Sequence, residues 1–145
     1  MQKIIILIST LVALNACQSN MSKENAASPD INKESISAQY CYDYKYGDYT
    51  LPSNVTLAYQ WCLQSAKQGN AHSQVLLAEM FFMGELGEKN LEYAFDWYSR
   101  AAKSNHAHAL FMLAQFYEQG LVVEKDKKAA EQYLKKASVY GYRGL

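Results

Sequence analysis

The sequence predicts an all-α protein, an α/α solenoid of about three helical hairpins. The main observation is a self-match, because the stretch from Ala94 to Gly120 recurs thirty-six residues upstream, where Trp97 falls on Trp61 and Gly120 on Gly84. A fixed period of about twenty to fifty residues is typical of stacked repeats. The composition agrees with helices, since proline occurs only twice in 145 residues.

The N-terminal stretch has the composition of a secretory signal peptide. A short positive start ends at Lys3, and the apolar run 4–14 is too short to span a bilayer stably. We therefore expect residues 1–16 to be removed. The four residues ending at Cys17, Leu-Asn-Ala-Cys, resemble the lipobox of bacterial lipoproteins. This resemblance implies that Cys17 is lipidated, and the alternative is an ordinary signal peptide with a chance cysteine.

The segment after the cysteine is expected to be a tether. In the lipoproteins that this segment resembles, an aspartate directly after the cysteine is a signal for retention in the inner membrane. This chain has Gln18 there, so the resemblance implies an outer-membrane lipoprotein that faces the periplasm. Residues 17–33 are polar and show no apolar period, which favours a flexible segment. The repeat domain is then predicted to cover residues 34–145.

The repeats are predicted at 34–69, 70–105 and 106–141, each with two helices, and the first helix at 34–46. The second helices have an Asx residue where an N-cap belongs, at Asn54, Asn90 and Asp126. Residue types that tolerate the left-handed conformation stand where helices should end, at Gly47, Gly84, Gly120, Gly69, Asn105 and Gly141.

Each second helix carries one apolar stripe. In the middle repeat the stripe is Ala94, Trp97, Tyr98 and Ala101, and its counterpart in the last repeat includes Leu134. This spacing of i, i+3, i+4 and i+7 predicts one buried helix face. A hairpin of this kind buries its faces by stacking on its neighbours.

These residues resemble the Sel-one-like repeats, relatives of the tetratricopeptide repeats with a slightly longer period. The resemblance covers residues 40–141 and is clearest between Ala71 and Gly84, which read Ala-(five)-Leu-Ala-(two)-Phe-(two)-Gly. Tetratricopeptide units repeat every thirty-four residues and fit less well. The first repeat departs from the pattern, with Tyr40 and Cys41 where later copies have Leu-Ala.

Two cysteines remain after Cys17, namely Cys41 and Cys62, and both fall on core-facing positions of the first hairpin. An exported protein meets an oxidising compartment. We predict a disulfide between them, and the alternative is two buried thiols that pack without bonding.

The sequence offers little support for catalysis, metal binding or nucleic-acid binding. Lysine plus arginine balances aspartate plus glutamate at fourteen each, so no charge favours nucleic acid. The histidines, His72, His106 and His108, lack the spacing of metal ligands. No nucleophile or phosphate-loop motif occurs. We therefore predict a protein that is not an enzyme and needs no cofactor or metal.

Two sets of residues are candidates for partner binding. Tyr42 and Tyr46 lie off the core face of the first helix, and tyrosine is enriched at protein interfaces. The alternative is that they cap the exposed end of the core. The second set follows from the resemblance, which implies that the first helices line a concave side where partners bind. Its members are Val75, Glu79, Phe82, Phe111, Gln115 and Glu118. For Val75 and Phe111 the alternative is a core position.

The predicted function is a non-catalytic adaptor in the bacterial envelope that binds an envelope or periplasmic protein. Small exported members of the resembled family imply one alternative, an immunity protein that neutralises a toxic effector. Cysteine-rich relatives imply another, a binder of cell-wall fragments or a weak envelope hydrolase. Their cysteines recur in every repeat, whereas this chain has a pair only in the first.

Replacing the proposed lipid anchor, Cys17→Ser, should release the protein from the membrane fraction. The reason is that buried acyl chains contribute about 0.8 kcal/mol per methylene, and the variant carries none. Sedimentation after cell breakage measures the release, and continued sedimentation of the variant with membranes would contradict the lipobox prediction.

Overall fold

A computed structural model describes residues 31–48 and 50–143 of the chain. Cys17, the signal peptide 1–16 and most of the tether therefore lie outside the described residues. The described part is all α-helical, without strands. Its six helices are α1 (Ile31–Tyr46), α2 (Val55–Lys67), α3 (Ala71–Met83), α4 (Leu91–Lys103), α5 (Ala107–Gln119) and α6 (Lys127–Val139). The helix α1 begins three residues before the predicted start at residue 34.

The helices form three hairpins that stack in chain order. Helix α1 packs on α2, α3 on α4 and α5 on α6, while α2 contacts α3 and α4 contacts α5 between hairpins. The first helices also meet, since α1 contacts α3. The predicted all-α repeat superhelix is thereby confirmed.

The predicted helix starts are confirmed at every second helix. The side chains of Asn54 and Asn90 each accept a hydrogen bond from the backbone N–H three residues ahead, at 3.0 Å. Asp126 accepts from two backbone N–H groups, at 2.9 and 3.0 Å. Each cap satisfies donors that the first helical turn leaves without an intrahelical partner.

The predicted helix ends are also confirmed. All six closing residues have positive φ, including Asn105 at 58° and Gly84 at 75°. At Gly47 the fit is tightest, because an added Cβ would lie 2.6 Å from the backbone nitrogen of Ser53. Only glycine combines that φ with that close approach.

The core consists of the stripes between the helices. The four stripe residues of α4 are at most 7% exposed, and Leu76, Leu77 and Met80 of α3 are buried against them. A polar pair lies within this core, where the Ser73 hydroxyl donates to the Ser65 hydroxyl at 2.9 Å. Burial of these two hydroxyls is tolerated because they bond to each other.

Two positions that the repeat pattern assigned to the core are exposed. Tyr40, which matches the buried Leu77, is 41% exposed and leans on Trp61, with ring centroids 5.0 Å apart. Leu134 of the α6 stripe is 38% exposed. Both lie on the outermost hairpins of the described stack, where no further described hairpin covers them. The pattern was wrong there because it assumes a neighbour on each side.

The predicted disulfide is confirmed. Cys41 of α1 and Cys62 of α2 are bonded, their Cα atoms are 4.5 Å apart, and both residues are 0% exposed. The bond joins the two helices of the hairpin that departs most from the repeat pattern. It therefore adds a covalent link where the repeat pattern is least regular.

Replacing both cysteines with alanine should lower the free energy of unfolding. The bond closes a loop with a sequence separation of 21 residues. On the chain-entropy account, losing such a loop costs about 3 kcal/mol. Chemical denaturation followed by circular dichroism measures the change, and dithiothreitol should shift the wild type but not the variant. Equal midpoints for oxidised and reduced wild-type protein would contradict the prediction.

Candidate partner-binding groove

The three first helices enclose a groove of about 310 Å³. We call it the first-helix groove. It is lined by Lys45, Tyr46, Glu79, Phe82, Met83, Glu85, Tyr98, His108 and Met112. Helices α1, α3 and α5 contribute most of these residues because the repeat places equivalent helices side by side. The groove therefore spans all three hairpins.

A lysine of α1 pairs with two carboxylates in the groove. The Lys45 side chain is only 6% exposed, and its ammonium group donates to both carboxylate oxygens of Glu85, at 2.8 and 3.0 Å. Its Nζ lies 4.0 Å from the Glu79 carboxylate. A buried ammonium group is costly unless it is paired, so these contacts hold α1 against α3 and the loop that follows it.

Glu79 is the centre of a wider polar cluster. Its carboxylate lies 3.4 Å from Nε2 of His108 on α5. Burial, followed by the negative charge of Glu79, raises the pKa of Tyr46 to about 12. Burial and the same carboxylate also raise the pKa of Tyr98. The Tyr46 hydroxyl also forms a hydrogen bond with the Glu79 carboxylate.

Apolar side chains form the rest of the lining. Met83 is 62% exposed, and Phe82 packs edge-on against Phe116 with ring centroids 5.9 Å apart. Met112 of α5 is half-buried. Methionine is unbranched and polarizable, so it adapts to different partner side chains. The groove thus combines adaptable apolar surface with fixed charges.

The structure brings together three of the predicted partner-binding residues, Tyr46, Glu79 and Phe82, in the first-helix groove. Tyr42 lies next to Tyr46, with ring centroids 4.8 Å apart, and lines a separate depression with His72. Tyr46 therefore lines the groove, whereas Tyr42 lies outside it.

The other predicted residues lie elsewhere. Val75 has to be removed from the candidate surface, because it is 3% exposed and belongs to the core. Phe111 is half-buried and stacks on Tyr142 at 4.2 Å between centroids. Gln115 bonds to its neighbour Gln119 one turn ahead.

Glu118 occupies the same repeat position as Phe82 but does not line the groove. It borders a smaller depression of about 160 Å³ with Lys127 and Leu134 of α6. No further first helix lies beside it within the described residues, so nothing encloses a groove there. Repeat position alone therefore did not decide which residues share a site.

The sequence did not point to Lys45, Glu85 or His108 as site residues. One signal existed for Lys45, because it occupies the repeat position of Phe82. His108 was considered as a possible metal ligand, and in the structure it faces Glu79. The Lys45–Glu85 contact depends on how α1 packs beside α3, and the His108–Glu79 contact on how α3 packs beside α5. No sequence spacing encodes either arrangement.

Neither a metal-binding cluster nor a membrane-spanning helix is present in the described part of the chain. No group of three or more His, Cys, Asp or Glu side chains there is arranged to hold a metal ion. None of the helices in residues 31–48 and 50–143 combines the length and apolar character needed to cross a membrane.

The repeat geometry and the groove define an α/α repeat protein with a candidate binding surface on its first helices. The profile of the Sel1 repeat matches residues 38–70, 71–106 and 107–138, which is more than half of the chain. The protein belongs to the Sel1 repeat family. Proteins of this family are generally interaction scaffolds rather than enzymes, and they bind protein partners. No functionally curated protein matches the chain.

Three solved structures with the same fold, each from a different bacterium, are similar to this chain. A protective antigen of uropathogenic Escherichia coli strains, described as displaying an SLR fold, is 25% identical over 75% of this chain, with a TM-score of 0.70. This chain spans 23% of the length of that antigen.

Two shorter proteins match along nearly their whole length. A Sel1 repeat protein of Oxalobacter formigenes is 21% identical, with a TM-score of 0.68, and the match covers 82% of this chain and 95% of the other. Cysteine-rich protein B of Helicobacter pylori is 16% identical, with a TM-score of 0.62 and coverages of 82% and 96%. These two likenesses show the fold.

The Glu79→Gln substitution should lower the pKa of Tyr46 from about 12 toward its ordinary value of 10.0, because it removes a negative charge that disfavours the phenolate. NMR titration of ¹³Cζ-labelled tyrosine measures the shift, and Tyr46→Phe assigns the resonance. Glu131→Gln on the exposed face of α6 is the matched control.

The sign of the pH dependence follows from the direction of this shift. Folding raises the pKa of Tyr46 above 10.0, so the neutral phenol contributes to the free energy of unfolding. This contribution is fully present below pH 10.0 and is lost as the pH rises through about 12. An unchanged Tyr46 titration in Glu79→Gln would contradict the assigned contact.

Proposed function

We propose that the protein is a lipid-anchored adaptor of the bacterial envelope that binds a partner protein in the first-helix groove, without catalysis. The observation that carries the proposal is the groove itself, which combines exposed Met83, half-buried Phe82 and Met112, and the charged cluster around Glu79. Aromatic and methionine side chains are enriched in protein interfaces, and fixed charges set the register of a partner.

Helix α1, which forms one wall of the groove, is held in place before a ligand binds. Helix α1 is bonded to α2 through Cys41 and Cys62, and the Lys45–Glu85 contact joins it to the loop after α3. A preorganised surface loses less conformational entropy when its partner binds. The two contacts therefore support the proposal that the groove is a preorganised binding surface.

The anchor part of the proposal rests on Cys17 and the signal-like segment before it. Since α1 begins at Ile31, the tether would cover residues 17–30. A flexible chain of that length has an end-to-end distance of about 20 Å. The groove would then work close to the membrane surface, and its partner would be a protein that comes within this layer.

Met83→Asn should weaken partner capture by about fivefold, because it removes a large apolar contact from the groove without adding charge. The measurement is affinity capture from envelope extracts. The protein that the wild type captures in stoichiometric amounts is quantified for each variant. Val139→Asn is the matched control, since Val139 is 72% exposed on α6 and lies outside the groove.

Three outcomes would decide between the proposed roles. Equal capture by Met83→Asn and wild type would contradict binding in the groove. Turnover of cell-wall fragments by the purified protein would contradict the non-catalytic role. A captured partner that is toxic in the periplasm when produced without this protein would define the adaptor as an immunity protein.

A further inference from the structure

Among the Lys, Arg, Asp and Glu side chains that line the first-helix groove, negative charges exceed positive charges by one. Glu79 and Glu85 supply two carboxylates, and Lys45 supplies the one ammonium group among the lining residues. The whole chain is balanced at fourteen positive and fourteen negative side chains, so the excess belongs to the groove and not to a general acidity of the protein. A local negative charge favours a ligand that carries a positive charge.

Lys45 does not satisfy the two carboxylates equally. Its Nζ lies 2.8 Å from Glu85 but 4.0 Å from Glu79. The Glu79 side chain is 27% exposed, so its carboxylate is open to a ligand from the groove side. A carboxylate accepts about four hydrogen bonds. Its neighbours, Lys45 at 4.0 Å, His108 at 3.4 Å and the Tyr46 hydroxyl, do not use all of these positions, so Glu79 keeps capacity for a further cation.

The surroundings of Glu79 suit a cation on a long apolar stem. The Lys45 ammonium group already lies over the Tyr46 ring, 5.6 Å from its centroid, which is within cation–π range. Phe82 and Met83 offer apolar surface beside the carboxylates. Lysine and arginine bury their aliphatic stems along such surface while the charged end reaches an anion.

We propose that the groove recognises a segment of the partner protein in which an arginine or lysine stands next to an apolar residue. The cationic group pairs with Glu79, and the apolar neighbour contacts Met83 and Met112. This inference rests on the proposed function and names the chemistry of its ligand. Lys45 acts as an internal competitor, because it neutralises part of the charge that attracts the partner.

The test uses the mature chain with Cys17→Ser and fluorescently labelled peptides of one framework. The framework places leucine beside a central position that is Arg, Lys, Gln or Glu. Fluorescence anisotropy should show the Arg and Lys peptides binding at least about tenfold more tightly than the Gln and Glu peptides. The difference should shrink as salt is added, because salt screens exposed charges.

Two substitutions should act in opposite directions on the Arg peptide. Glu79→Gln should weaken its binding by about fivefold, and Lys45→Met should strengthen it by a similar factor, since one removes and the other unmasks negative charge. Methionine keeps most of the packing of the buried lysine stem. Glu131→Gln should change nothing, and thermal melts confirm that each variant is folded.

The outcomes separate this inference from the proposed function. Equal binding of all four peptides, lost in Met83→Asn, would overturn the charge preference and leave the groove as the binding site. Binding that Met83→Asn does not affect, or no binding of any peptide, would overturn both. Weakening by both Glu79→Gln and Lys45→Met would assign the effect to packing and overturn the inference. Self-association that the Arg peptide displaces would make a second copy the occupant and overturn it too.

Discussion

Coverage of one hairpin by the next is the constraint on which the whole structure depends. Each second helix has a single apolar stripe, and the stripe is fully buried where a further hairpin packs against it. In α4 the stripe residues Ala94 and Ala101 are 0% exposed, whereas Leu134 at the outer end is 38% exposed. Small residues at the ends of the stripe let the helices approach closely, and Trp97 and Tyr98 fill the space between them. The same contact recurs every thirty-six residues, and the five helices after α1 all have 13 residues.

Because this constraint is local and repetitive, the sequence was sufficient to predict most of the fold. The caps at Asn54, Asn90 and Asp126 and the left-handed ends at Gly84 and Asn105 need only a residue type at a position, and all were predicted correctly. Errors appeared where the repeat stops. Tyr40 was assigned to the core by alignment with Leu77, but the described stack has no hairpin on its outer side.

The candidate site was predicted less completely, for a physical reason. Glu79 and Phe82 were found because they lie between core positions on a first helix. The contacts Lys45–Glu85 and Glu79–His108 join different hairpins, so they depend on the spacing and rotation of helices and not on any pattern within one helix. Val75 shows the converse, since its repeat position left core and surface open until its burial placed it in the core.

The disulfide has a mechanical consequence if the chain is held at its N-terminus. A pull that enters at Ile31 can peel α1 only as far as Cys41, and there the load passes through the sulfur atoms to Cys62. Residues 42–61 are bypassed by the force. Lys45 and Tyr46 lie inside this shielded loop. Their wall of the groove would therefore keep its shape under a tension that unfolds the turns of α1 before Cys41.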